Sequence, residues 1–259
     1  MKKILFLLLI LPSISKAQQY NRDSLEQIVE KYISADSIKD YNEYINQLYP
    51  AIIKATENED FRERLRADAT IDFINSSLSE DPKPFVDKYF ANSHTDSLKT
   101  KVTLYYEKFL SEYGAILSGK AAPDFSFFDR NGKVAKVSDF KGKTLLIDLW
   151  GTWCAPCIAE IPYLEKLQQQ YSNNKDVLII SIACDKKVEK WESFLNTHRT
   201  SWKQYIISKE GDTILDNIYH VNGIPRFIII DKYGKLVTSD GPRPSEKDFN
   251  MYFKNAINK

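Results

Sequence analysis

Thr144-Leu145-Leu146-Ile147-Asp148-Leu149-Trp150 is an apolar run of strand length that breaks at Gly151-Thr152-Trp153 and passes into Cys154-Ala155-Pro156-Cys157-Ile158-Ala159-Glu160-Ile161-Pro162, the opening of a helix. Strand, tight turn and helix in immediate succession leave few folds open. They also set two cysteines in the first turn of that helix. Unpaired backbone N–H groups and the positive end of the helix dipole favour a thiolate at Cys154. Cys157 lies one turn on, so the two sulfurs can close a small ring and release whatever Cys154 has captured. Pro156 costs little there, because a proline in the first turn removes a donor that had no intrahelical partner. Asp148 is the odd residue of the strand. A carboxyl buried among Leu, Ile and Trp should have a raised pKa, which suits a group that takes a proton from Cys157 and returns it.

Two bland readings of the cysteine pair compete with redox chemistry. A structural bridge across two intervening residues closes too small a loop to restrict the unfolded chain much. Zinc needs more ligands, and Cys184, His94, His198 and His220 are scattered along the chain. The spacing therefore favours exchange, with no metal.

Around this stretch the 259 residues divide in two. Residues 1–17 have the form of a secretory signal peptide: Lys2 and Lys3, the apolar Ile4 to Leu11, and Ser15-Lys16-Ala17 as a small-x-small cleavage site. The apolar part is well short of the ~20 residues of a spanning helix, so stable membrane insertion is not expected and an uncleaved anchor is the competing reading. Export implies a periplasmic setting. Residues 18–118 carry helical periodicity, as in Leu25, Ile28, Val29 and Tyr32, then Tyr41, Tyr44, Ile45 and Leu48, then a segment opened by Asn58. This half is expected to be an all-helical domain whose tyrosines are half-buried with wet hydroxyls. Residues 119–259 alternate strands and helices: a hairpin turning at Asp129-Arg130-Asn131-Gly132, the Cys-x-x-Cys unit with its helix running to about Tyr171, a strand from Val177 to Ala183, a helix from Val188, short helices from Thr213 and Ser245, and a second hairpin after Gly223-Ile224-Pro225. The formal charge of +1 lacks the basic excess of a nucleic-acid binder.

Trp150-Gly151-Thr152-Trp153-Cys154-Ala155-Pro156-Cys157 resembles the active-site segment of thioredoxin-fold proteins, most of all the exported TlpA/ResA-like thiol-disulfide oxidoreductases of the AhpC/TSA-thioredoxin superfamily. Pro162 and Glu160 are similar to that group's continuation after the dithiol, and Asp148 stands where thioredoxin has its buried aspartate. The ResA-like branch often has Asn there. Gly223-Ile224-Pro225 resembles the cis-proline loop that faces the dithiol, although Arg226 replaces the usual Thr. The Ala121-Ala122-Pro123-Asp124-Phe125 entry is also similar, so the resemblance covers about residues 121–259.

The resemblance implies an α/β thioredoxin-like domain with a mixed central sheet behind the helical one. It implies catalysis by Cys154, Cys157, Asp148 and Pro225, with Trp153, Ile224 and Pro156 contacting the substrate. No cofactor is required, because the disulfide itself carries two electrons. Expected partners are protein disulfides or thiols and a membrane electron donor, with reduction the favoured direction. Two alternatives stand beside this. One is a redox-tuned binding protein whose helical domain docks an envelope partner. The other is a peroxiredoxin-like peroxidase, whose usual Pro-x-x-x-Thr-x-x-Cys pattern neither cysteine satisfies. Cys184, ending a strand, is expected to be a small packed hydrophobe.

Overall fold

The computed structural model describes residues 16–33, 41–77, 81–247 and 249–258. The expected signal segment lies outside the described residues as far as Ser15, and Lys16 and Ala17 open the first helix. The chain forms two compact units that part between Ser111 and Glu112.

The first unit is helical: α1 (Lys16–Tyr32), α2 (Tyr41–Ala55), α3 (Glu59–Ser76), α4 (Lys83–Ala91) and α5 (Asp96–Tyr113), the last crossing the division. Leu25, Ile28 and Val29 of α1 pack with Leu48 and Ile52 of α2 and Leu65 of α3, as their three- and four-residue spacing requires. Asn58 caps α3, its Oδ1 accepting from the Phe61 N–H at 2.9 Å. Glu63 is buried, yet it is fully engaged at the turn that starts α5. It accepts from the N–H groups of His94 (2.8 Å) and Thr95 (2.7 Å), from Thr95 Oγ1 (2.7 Å) and from Ser93 Oγ. Tyr44, Tyr105, Tyr106 and Tyr113 are half-buried, as expected, while two other tyrosines go deeper. Tyr89 is fully buried, with its hydroxyl 3.1 Å from Ser93 Oγ, and Tyr49 is buried as well.

The second unit is built on one seven-stranded sheet of β1 (Ser126–Phe128), β2 (Val134–Lys136), β3 (Thr144–Trp150), β4 (Val177–Ala183), β5 (Lys203–Ile207), β6 (Arg226–Ile230) and β7 (Leu236–Gly241), ordered β2-β1-β5-β4-β3-β6-β7. Its helices are α6 (Ala155–Tyr171), α7 (Val188–Thr197), α8 (Lys209–Asn217) and α9 (Phe249–Ile257). Every residue of β3 is buried, and the strand lies parallel to β4 on one side and antiparallel to β6 on the other. Strand alternation splits the core in two. Leu145, Ile147 and Leu149 join Ile180, Ile182 and Ile228 on one face; Leu146 joins Ile179, Phe227 and Ile229 against Leu164 and Leu167 of α6 and Phe249 and Phe253 of α9 on the other.

Two helix starts differ from the sequence reading. α8 begins four residues before Thr213, because Ser208 caps it by accepting the Gly211 N–H at 2.9 Å. α9 begins at Phe249, not at Ser245, whose N–H and hydroxyl are instead held by the Glu160 carboxylate at 3.0 and 2.7 Å.

Candidate active site

β3 delivers its chain to the site through a turn fixed on both sides. The Cys184 N–H donates to the Trp150 carbonyl at 2.7 Å, and Thr152 gives its N–H and hydroxyl to the two carboxylate oxygens of Asp185 at 2.9 and 2.5 Å. The indole of Trp153 lies across Gly151. A Cβ at residue 151 would meet Trp153 Cε2 and Nε1 at 2.9 Å.

Cys154 is the N-cap of α6, and its sulfur accepts the Cys157 N–H at 3.3 Å. Cys154 and Cys157 form a disulfide. Pro156 sits in the first turn, where its missing donor costs nothing. Across from the sulfurs, the Ile224–Pro225 bond is cis, and the Ile224 carbonyl oxygen lies 3.7 Å from Cys154 Sγ. A disulfide sulfur has no proton to give, so this is a contact in the oxidised form; only the reduced thiol has a hydrogen to donate there. The structure therefore brings Cys154, Cys157, Pro156, Ile224 and Pro225 to one place.

The pair is well covered. Cys154 is only 4% exposed and Cys157 2%, packed with Trp150, Trp191, Leu195 and Ile206, whereas Trp153 beside them is 68% exposed. Burial on this scale is more than a freely reachable nucleophile suggests.

Asp148 is buried on the α6 face of the sheet, in register with Ser181 of β4 and Phe227 of β6. Burial pushes its carboxyl up; a hydrogen bond from Ser181 Oγ at 2.7 Å opposes this and the negative charge of Glu160 adds to it, leaving the pKa at about 7. Glu160, also buried, comes from α6.

Two residues left open by the sequence fall outside the chemistry. Arg226 is buried, its Nη1 donating to the Ser239 carbonyl at 3.3 Å and its Nε 3.5 Å from Asp240, so it ties β6 to β7. The Cys184 thiol is pushed up to about 12 by burial and then by the charges of Asp212, Asp148 and Asp185, so it stays protonated. His198 and His220 sit at helix ends, His198 stacked on Phe194 and His220 bonded to the Glu112 carbonyl at 3.0 Å. Among the described residues no cluster of three His, Cys, Asp or Glu is arranged to hold a metal ion.

The sequence reading missed Asp185, Ser181, Trp202 and Ser245. Asp185 had a signal, since it lies two residues past β4 and chemistry in such sheets gathers at the carboxyl ends of strands. The other three become visible only once strands and loops are in register.

A disulfide seated on a helix N-cap at the end of a central strand, faced by a cis-proline loop, defines a thiol-disulfide oxidoreductase of thioredoxin fold. The family model described as Redoxin matches residues 117–252, and the chain belongs to that family. It is 32% identical over 149 residues to the thiol-disulfide oxidoreductase ResA of Bacillus cereus, covering 58% of this chain and 84% of the relative. It is likewise 32% identical over 132 residues to the thioredoxin-like protein YneN of Bacillus subtilis, covering 51% of this chain and 75% of the relative. Among solved structures, a thiol-disulfide oxidoreductase of Bacteroides vulgatus superposes with a TM-score of 0.52 at 36% identity, covering 55% of this chain and 99% of that one. The family match lies wholly outside the helical unit.

Proposed function

We propose that this protein is exported and reduces disulfides in other exported proteins, receiving electrons from a membrane-bound donor. In the reduced form Cys154, as thiolate, attacks a substrate disulfide; one substrate sulfur leaves as a thiolate and is protonated, and a mixed disulfide joins substrate to Cys154. Cys157 then gives its proton to Asp148 and attacks Cys154 Sγ. The internal disulfide forms, the second substrate thiolate leaves, and Asp148 returns the proton to it. The substrate gains two electrons and the donor restores them by the reverse sequence.

Pro225 and Ile224 hold an extended backbone against which a substrate segment can pair, while exposed Trp153 and Pro156 supply contact surface around the buried sulfurs. Residues 18–118 form a separate helical domain on this reading and residues 119–259 the redox domain. Among the described residues no helix is long and apolar enough to cross a membrane, and the basic and apolar start of the sequence supports export.

The observation that carries the reading is the position of Cys154 Sγ: a helix cap, bonded to Cys157 and 3.7 Å from the carbonyl that precedes the cis proline. Insulin reduction by the chain lacking residues 1–17 tests it. Cys154→Ala should abolish turnover, and Cys157→Ala should accumulate mixed disulfides visible on a non-reducing gel. Turnover indifferent to both changes would refute it.

A further inference from the structure

Asp148 is held by a chain of side chains that ends outside the dithiol site. Ser181 Oγ donates to Asp148 Oδ2 at 2.7 Å and accepts from the Trp202 indole N–H at 2.8 Å. All three residues are buried, Trp202 immediately before β5 and Ser181 on β4 directly beside Asp148. The directions are fixed by chemistry. An indole nitrogen only donates, so Trp202 occupies a lone pair of Ser181 Oγ and turns the hydroxyl hydrogen away from itself.

That hydrogen has two claimants. Gln204 stands opposite Ser181 on β5, on the same face of the sheet, with a buried amide oxygen that has no partner among the described residues. The other claimant is Asp148, and it holds the bond. We infer that Ser181, oriented by Trp202, is the positioning group that keeps buried Asp148 able to lose its proton at neutral pH. This rests on the proton-transfer role proposed for Asp148.

The physical case is a balance of opposing effects. Burial and the Glu160 charge both disfavour the carboxylate, and the Ser181 hydroxyl is the opposing influence. A hydrogen bond to a charged acceptor is stronger than one to the neutral acid, so it favours ionisation. The other groups around Asp148 give no such help. α6 contributes the Glu160 charge. Cys184, the residue after β4, itself feels the Asp148 charge. β6 offers Phe227 in register, and Arg226, one residue earlier, is turned to Ser239 and Asp240. α9 brings Phe249 and Phe253 to this face. Without Ser181, Asp148 would hold its proton to higher pH and would be free to accept one from Cys157 in fewer molecules at neutral pH.

The experiment is a carboxyl ¹³C NMR titration of Asp148 in the reduced, full-length protein, run beside the pH profile of the exchange rate. Ser181→Ala should move the Asp148 midpoint up by about one pH unit, as expected for loss of a charge-assisted hydrogen bond, and Ser181→Thr should restore it. Trp202→Phe should give a smaller rise that disappears when combined with Ser181→Ala, because the two act through one bond. A midpoint unmoved by Ser181→Ala, or a Trp202→Phe effect that persists in the double variant, would overturn the inference. A midpoint that moves while the exchange profile stays fixed would uphold the network and remove the proton-transfer role of Asp148.

Discussion

Asp148 carries a cost that can be measured apart from catalysis. Its folded pKa of about 7 lies above the ordinary value of 3.8. The folded chain therefore binds a proton that the unfolded chain has already released, and stability must fall as pH rises between those two values. Asp148→Asn should flatten that slope and gain a few kcal/mol near pH 8, with little change near pH 3, which urea titrations at the two pH values would read. An unaltered slope would mean the carboxylate is better solvated than its burial indicates.

Glu63 works in the opposite sense. Burial pushes its carboxyl up, but hydrogen bonds from Ser93, Thr95 and the Thr95 and His94 backbone outweigh this and bring it to about 2. Its contribution is complete above the ordinary carboxylate value of 4.5 and is lost only as pH falls through about 2. Glu63→Gln leaves one acceptor oxygen for several donors, and should cost the helical unit about 2 kcal/mol or more. Amide exchange across residues 59–113 would show the loosening.

The turn between β3 and α6 is the element on which geometry depends most. Asp185 holds Thr152 by two bonds, two residues before Cys154. Asp185→Ala should slow exchange about tenfold or more without unfolding the sheet, since small displacements of reacting groups are expensive; circular dichroism and insulin turnover together would check both halves. The dithiol, its helix and the proline loop were legible in the sequence because each is written in consecutive residues with a local physical signature: an apolar run, a first-turn proline, a Gly-x-Pro before a strand. The helix from Asn58 was legible for the same reason, its cap lying directly before it. Asp185, Ser181 and Trp202 were not, because their partners are 33 and 21 residues away and meet only through strand pairing. The Ser208 cap was overlooked although local, since Lys209 to Asp212 is too polar to announce a helix by periodicity.

At the scale of the whole redox unit, the sheet order explains why the site exists where it does. β6 runs antiparallel to β3, with Arg226 opposite Leu149, so the end of one strand and the beginning of the other fall at the same edge. Cys154 and Pro225 are thereby brought together by main-chain pairing, not by the long connections between them. α6 in turn is fastened in two ways: at its start by a sulfur, and further along by Glu160 clasping Ser245 ahead of α9. The first fastening is also the proposed reagent. Once Cys154 Sγ is joined to a visiting sulfur it keeps the same two lone pairs it has in the internal bridge, so the Cys157 amide retains its acceptor through the exchange. The start of α6 thus stays capped while the sulfur changes partners, and the clasp further along keeps the rest of the helix in place as electrons pass.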